Sequence, residues 1–246
     1  MKEIRLQKYI SDCGVMSRRS AEKAIVDGRI LVNGSTAQLG QKIVPGTDKV
    51  ELDSEPVIMP EARDHTYLMI YKPSGYVTTA HDERGRRCVT DLVRGTGTRL
   101  YPVGRLDMLS EGLLLLTDDG DFTYRMTHPK HHVPKVYHVC TYGNPDAGQM
   151  KILNSRMLID GYRIEPVTSR IIDSDENSSL IEMTLHEGRN RQIRKMCQTA
   201  GIKIRSLKRV SFGSLELGDM KPGEIRHVSP EDIESLIKSA ENGGLK

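Results

Sequence analysis

The stretch from Gly104 to Gly120 reads GRLDMLSEGLLLLTDDG. It sets one carboxylate, Asp107, two positions after the guanidinium of Arg105 and just ahead of four consecutive leucines. The leucine run reads as a buried strand. Aspartates are almost never fully buried unless paired, so a carboxylate at the edge of such a strand calls for a cation. Arg105 is one candidate, and the basic segment Gly188–Met196, GRNRQIRKM, supplies others. A nearby positive charge keeps a carboxyl ionised. An ionised carboxylate in a partly dry cleft can serve as nucleophile or base. The plainer reading is a turn aspartate that caps a helix, and Asp107 taken alone fits that better.

The chain around this stretch has 246 residues, enough for one large and one small domain and a sizeable core. Its formal charge is only +3, but the distribution is uneven. Between His186 and Val210 stand eight Arg and Lys residues with Glu187 as the sole acid. A clustered basic stripe is the usual footprint of a phosphate-binding surface; a solvated charged face is the competing account. Aromatic content is 4% with no Trp, so stacking on bases would fall to Tyr, His and Arg. Cys13, Cys88, Cys140 and Cys197 form no CxxC pair, which argues against zinc and for reduced thiols in a cytoplasmic protein. The N-terminus lacks the apolar core of a signal peptide, and no apolar run approaches a membrane span, so a soluble intracellular protein is expected.

Two domains and a connector are expected to position these groups. Residues 1–55 read as two short helices and a small sheet. Leu6, Tyr9 and Ile10 share one helical face, Ser17 is a good N-cap, and Ala21, Ala24 and Ile25 form the next buried stripe. Gly28 suits a helix end, and Asn33-Gly34 is a strong hairpin signal. Residues 56–65, with Pro56 and Pro60 and no periodicity, read as a linker. From residue 66 to 246, strands are expected at Tyr67–Tyr71, Leu113–Leu116, Val136–Tyr142 and Leu180–Leu185. Helices are expected near Asn190–Ala200 and from Ser229 onward. This mixture predicts an α+β domain on a mostly antiparallel sheet.

The row SRRSAEKAIVDGRILVNG resembles the alpha-L RNA-binding module of a small-subunit ribosomal protein and of several RNA-modifying enzymes. That resemblance implies that the second helix lays Arg18, Arg19 and Lys23 on RNA phosphates. Four further motifs follow in order: KPSGYVTT at Lys72–Thr79, GRLD with GLLLLTDDGD, PKVYHV at Pro134–Val139, and EGRNRQIRKM at Glu187–Met196. Together, behind the alpha-L module, they resemble the rRNA pseudouridine synthases, in the branch that holds the small-subunit enzyme and its large-subunit relatives. The likeness spans nearly the whole chain.

The resemblance implies an isomerase, an intramolecular transferase that converts one uridine of ribosomal RNA to pseudouridine without cofactor or metal. The family's essential aspartate falls on Asp107, its active-site tyrosine on Tyr137 and its basic partner on Arg194. The arginine that enters the space left by the extruded base falls on Arg105. Arg189, Arg191 and Lys195 join the RNA-binding set. Tyr137 could instead be an ordinary core tyrosine. After GRLD many members carry Asp or Asn and then Thr-Ser-Gly, where this chain has Met108, Leu109, Ser110, Glu111 and Gly112. Ser110 can replace the threonine hydroxyl, and the other changes bear on substrate fit. The GRNRQIRKM run and the short tail lean towards a large-subunit (23S) target, and HPKHHVPK leans towards a small-subunit (16S) one. His128, His131 and His132 read as a polar loop near RNA more readily than as a metal site. The partner is then ribosomal RNA or a ribosome-assembly intermediate, with no membrane, and the protein a monomer. A non-catalytic assembly factor using the same RNA-binding surfaces is the rival reading.

Overall fold

The computed structural model describes residues 2–60, 64–80 and 82–243. The chain forms two compact units. One runs to His65 and includes Asp118–Gly120; the other comprises Thr66–Thr117 and the chain from Asp121 onward.

In the smaller unit, α1 spans Leu6–Asp12 and α2 spans Arg18–Val26. The side chain of Ser17 accepts from the backbone N–H of Ser20, which satisfies one orphan donor at the start of α2. Ala21, Ala24 and Ile25 are buried against Leu6, Tyr9 and Ile10. Arg18, Arg19 and Lys23 lie exposed on the opposite side of α2. Asn33 and Gly34 both take positive φ, 53° and 79°, and close the hairpin between Ile30–Val32 and Ser35–Thr36. The unit reaches further than residue 55. Glu55–Pro56 pairs with Val50–Leu52, Val57 enters the core, and its carbonyl accepts the Tyr9 hydroxyl at 3.0 Å. The first residues expected in the linker are thus held by the unit they leave.

The larger unit is built on a nine-stranded sheet. Its strands are β1 Tyr67–Lys72, β2 Tyr101–Val103, β3 Glu111–Thr117, β4 Lys135–Tyr142, β5 Thr168–Ser174, β6 Ser179–Leu185, β7 Lys203–Phe212, β8 Leu215–Glu216 and β9 Ile225–His227. The order is β5-β6-β4-β7-β3-β1-β9, with β2 beside β3 and β8 beside β7. The β7–β3 pair is parallel and the rest are antiparallel. The fold is α+β, as expected.

The leucine run is central in β3 and buried on both faces. Leu113 and Leu115 pack with Phe122 and Met126 of α3, Gly120–Thr127, and with Leu236 and Ala240 of α6, Pro230–Gly243. Leu114 and Leu116 pack the other way, with Leu68, Ile70, Val89 and Leu106. A strand covered on both faces loses its polar alternation, which explains four leucines in sequence. On the other half of the sheet, β4, β6 and β7 bury Val139, Ile181, Met183, Leu185 and Leu207 against α4, Ala147–Leu153, and α5, Gln192–Thr199. The helices α3 and α4 were not anticipated, and α5 begins two residues later than expected. Among the described residues no helix is long and apolar enough to cross a membrane.

The parallel pair requires a glycine. Gly112 has φ +106°, and a Cβ there would lie 2.2 Å from the Arg209 carbonyl oxygen and 2.7 Å from its nitrogen. Both atoms are backbone, so neither can swing aside. The expected outcome for Gly112→Ala is a loss of roughly 3 kcal/mol or more in urea unfolding, from combined overpacking and left-handed strain.

Candidate active site

Asp107 lies in the loop that leads into β3, and that loop is stapled from beneath. Leu106 is buried, its carbonyl accepts the Thr78 hydroxyl at 2.7 Å, and its N–H donates back to that hydroxyl oxygen at 3.2 Å. The Ser110 N–H closes a turn onto the Asp107 carbonyl at 3.0 Å. The KPSG segment supplies the rest. The Gly75 N–H donates to the Met108 carbonyl at 2.8 Å. Lys72, at the end of β1, is fully buried and donates to the carbonyls of Ser110, Pro73 and Met108 at 2.6, 3.0 and 3.3 Å. Three acceptors match the three N–H bonds of an ammonium. Burial pushes the Lys72 pKa down to about 8, against the pull of Asp107 and Glu111 upward.

The second support comes from α5. Arg194 donates through one terminal nitrogen to the Leu109 carbonyl at 3.0 Å and to the Ser110 hydroxyl at 3.1 Å. Its Nε stands 3.6 Å from Oδ2 of Asp107. That is an ion pair too long for a hydrogen bond. This Nε is buried and without a hydrogen-bond partner, so it remains free to bond the carboxylate if the two close by a few tenths of an ångström. Ser110 is buried. Met108 and Leu109 point their side chains outward, where they are exposed.

Tyr137 comes from β4. The β4–β7 ladder slips between Val136 and Tyr137, and such a bulge re-aims a side chain. The half-buried ring packs against the two apolar clusters that meet there. One pocket is lined by Arg105, Leu106, Asp107, Ser110, Tyr137, Leu185, Leu207 and the 187–194 segment. The structure thus brings Asp107, Tyr137, Arg194, Arg105, Arg189 and Arg191 together from three separate stretches of sequence. Arg191 sits at the start of α5 with φ 53°, a left-handed strain typical of functional turns. Within this segment Glu187 accepts from Arg189 at 3.1 Å and from the buried Gln192 at 2.9 Å, and Gln192 accepts the Arg189 N–H at 3.0 Å.

Other expected residues lie elsewhere. Lys195 pairs with Asp160 and does not line the pocket. Arg18, Arg19 and Lys23 belong to the smaller unit. Arg209, counted in the basic stripe, is not a surface cation. It is buried, and its Nε donates to the Leu113 carbonyl at 2.7 Å. The His128 ring accepts the Lys130 N–H at 3.3 Å, and the His131 ring lies 3.3 Å from the Ala240 carbonyl. Lys72 was read only as part of a turn. The hint was its place at the end of the apolar run YLMIYK, where a lysine must find acceptors or exit the core. A larger cavity, about 590 Å³, lies among residues between Ala80 and Leu100. There Arg86 and Arg94 are already tied to Asp82 and Asp91.

A carboxylate, a guanidinium and a tyrosine in one arginine-rimmed pocket is the arrangement expected of an enzyme acting on RNA. Residues 66–199 match the RNA pseudouridylate synthase family, and residues 4–50 match the S4 domain. The chain belongs to the RNA pseudouridylate synthase family. A relative from Bacillus subtilis, named ribosomal large subunit pseudouridine synthase B, is 36% identical over 97% of this chain and 98% of its own length. An RNA pseudouridine synthase of Mycobacterium tuberculosis is 38% identical over 96% of this chain and 94% of its own. A crystal structure of a pseudouridylate synthase superposes with TM-score 0.67 at 29% identity, covering 95% of this chain and 99% of that one. The protein is therefore an isomerase acting on RNA, with an S4 domain ahead of its synthase domain.

Lys72 gives this pseudouridine synthase a testable pH signature. In the folded state it gives up its proton near pH 8; in the unfolded chain it does so at the ordinary 10.5. Between these values the unfolded state binds more protons, so the contribution of Lys72 to stability becomes more favourable as pH rises. Lys72→Met removes this dependence. Urea unfolding at pH 7.5 and 9.5 should show wild type gaining on the variant at the higher pH.

Proposed function

We propose that this protein isomerises a specific uridine of large-subunit ribosomal RNA to pseudouridine, without metal or cofactor and as a monomer. The target is supported by the likeness to the Bacillus subtilis large-subunit enzyme over almost the full length of both chains. The chemistry is carried by one observation, the Asp107 carboxylate 3.6 Å from Arg194 in a pocket shared with Tyr137.

A stacked base cannot reach Asp107, so the uridine is turned out of its helix at a cost of a few kcal/mol. Arg105, exposed at the pocket rim, is planar and cationic and fills the vacated space by stacking on the neighbouring bases. Leu106, Leu185 and Leu207 line the pocket around the uracil, and Tyr137 packs on its ring. Asp107 acts at the anomeric carbon, by direct attack or by assisting departure of the base. The bond from C1′ to N1 breaks, the uracil rotates within the pocket, and a bond from C1′ to C5 forms. N1 gains a proton and C5 loses one, a transfer assigned to the Tyr137 hydroxyl. Arg194 keeps Asp107 aimed throughout.

Tritium release from RNA labelled at C5 of uridine tests this directly. Wild type should release tritium and Asp107→Ala should release none above background. An active Asp107→Ala protein refutes the assignment. Arg194→Ala should lower the rate of tritium release by about two orders of magnitude, because Asp107 loses the cation that aims it.

The S4 domain supplies affinity. Removing the charges of Arg18, Arg19 and Lys23 together should weaken binding to ribosomal RNA and lower the slope of log K against log salt by about 2, near 0.7–0.9 per lost phosphate contact. Turnover of a short RNA at saturation should survive. Salt titrations of binding, wild type against triple variant, read the effect.

A further inference from the structure

Arg189 is fixed more firmly than a rim arginine needs to be for phosphate contact. Its guanidinium carbon lies 4.3 Å above the ring centroid of Tyr162, and its Nε is held by Glu187 at 3.1 Å. Glu187 is held in turn by the buried Gln192. The guanidinium plane is therefore set before any RNA arrives, beside the pocket that holds Asp107. Tyr162 stands on a short hairpin, Leu158–Ile159 paired with Tyr162–Arg163. That hairpin is anchored without Tyr162: Ile159 is in the core, and Asp160 pairs with Lys195. Asp160 and Gly161 supply the positive φ its turn requires. The Tyr162 ring stays 59% exposed and the Arg189 side chain 40% exposed. Packing thus gives no reason for an aromatic ring at this position.

Arg105 fills the gap left within the helix, but a neighbour drawn out of the stack along with the uridine still lacks a stacking partner. A flat cation backed by an aromatic ring is a replacement surface that accepts any base. We propose that the Tyr162–Arg189 stack receives the base adjacent to the everted uridine, with Tyr162 as a positioning residue for substrate binding. This rests on the reading that the Asp107 pocket takes an everted uridine. The stack holds the strand at the pocket mouth and makes no contact with the reacting bond, so it acts on binding and leaves the chemical step alone.

The test uses the full chain and unmodified large-subunit ribosomal RNA transcribed with uridine tritiated at C5. Tyr162→Ala and Tyr162→Leu should each raise KM about tenfold, within the range for loss of one base–aromatic stack. Their kcat should stay within about twofold of wild type and their melting temperature within a degree or two. Tyr162→Phe should restore KM. A Tyr162→Leu protein with wild-type KM overturns the proposal, because apolar bulk alone would then suffice. A loss confined to kcat overturns it as well. The same variants are titrated against the same RNA by fluorescence anisotropy, where Kd should follow KM. If wild type releases no tritium, the functional reading fails by itself, and the Kd series still decides whether Tyr162 stacks on RNA.

Discussion

Two cations, the buried Lys72 and the half-buried Arg194, hold the loop that bears Asp107. Between Asp107 and Glu111 the chain turns several carbonyls inward. Lys72 takes those of Met108 and Ser110, and Arg194 takes that of Leu109. Burying a charge costs several kcal/mol, and hydrogen bonds to charged groups return about 1.5–3 kcal/mol each. Two carboxylates, Asp107 and Glu111, favour the charged form of Lys72 and offset part of that cost, though burial outweighs them. The proposed catalytic carboxylate thus also helps to hold its own loop. That coupling makes the loop rigid where the proposed chemistry needs a fixed carboxylate.

The sheet order explains why residues so far apart in sequence meet there. Adjacent parallel strands begin at the same end, so the segments that precede them lie side by side. The Asp107 loop precedes β3, and α5 precedes β7. Pairing Glu111 with Lys208 and Gly112 with Arg209 sets the loop alongside the first half of β7, where Leu207 enters the pocket. β4 lies antiparallel on the far side of β7 and brings in Tyr137 opposite Arg209. An all-antiparallel arrangement of the same strands would send the loop and α5 to opposite edges. Gly112 is what lets the parallel strands approach, and Arg209 spans them from within, its Nε on the Leu113 carbonyl.

Groups whose surroundings are written in local sequence were legible. The leucine run, the Ser17 cap, the Asn33-Gly34 turn and the alternation in β6 each depend on neighbours within a few residues. The grouping of Asp107, Tyr137 and Arg194 comes from motif resemblance, since no local rule joins positions 87 residues apart. Lys72 and Arg209 were misjudged for a common reason. A cation is read as solvated unless its acceptors can be seen, and theirs are carbonyls from 36 and 96 residues away. Period-two alternation in β7 turns Arg209 inward, whereas the sequence shows only a basic run. The helices α3 and α4 are short, and a turn of Asp and Gly obscures the first. Val57 was read as linker because its partner, Tyr9, lies at the other end of the small domain.

Charge arithmetic within the pocket bears on what it can accept. Arg105, Arg189, Arg191 and Arg194 share its lining with Asp107 and Glu187. Asp107 answers Arg194, and Glu187 answers Arg189. Among the described residues Arg105 and Arg191 have no acidic partner, and Arg191 adopts its left-handed backbone besides, a conformation that costs about 1–3 kcal/mol. Two uncompensated guanidinium groups repel each other and favour an anion between or beside them. A free nucleoside offers none, while an RNA strand brings a phosphate on each side of the everted base. The carboxylate that would perform the chemistry is kept off these phosphates because Arg194 already neutralises it. The inner pair and the outer excess therefore do different jobs, and their separation lets one small pocket attract a polyanion while presenting a carboxylate to its sugar.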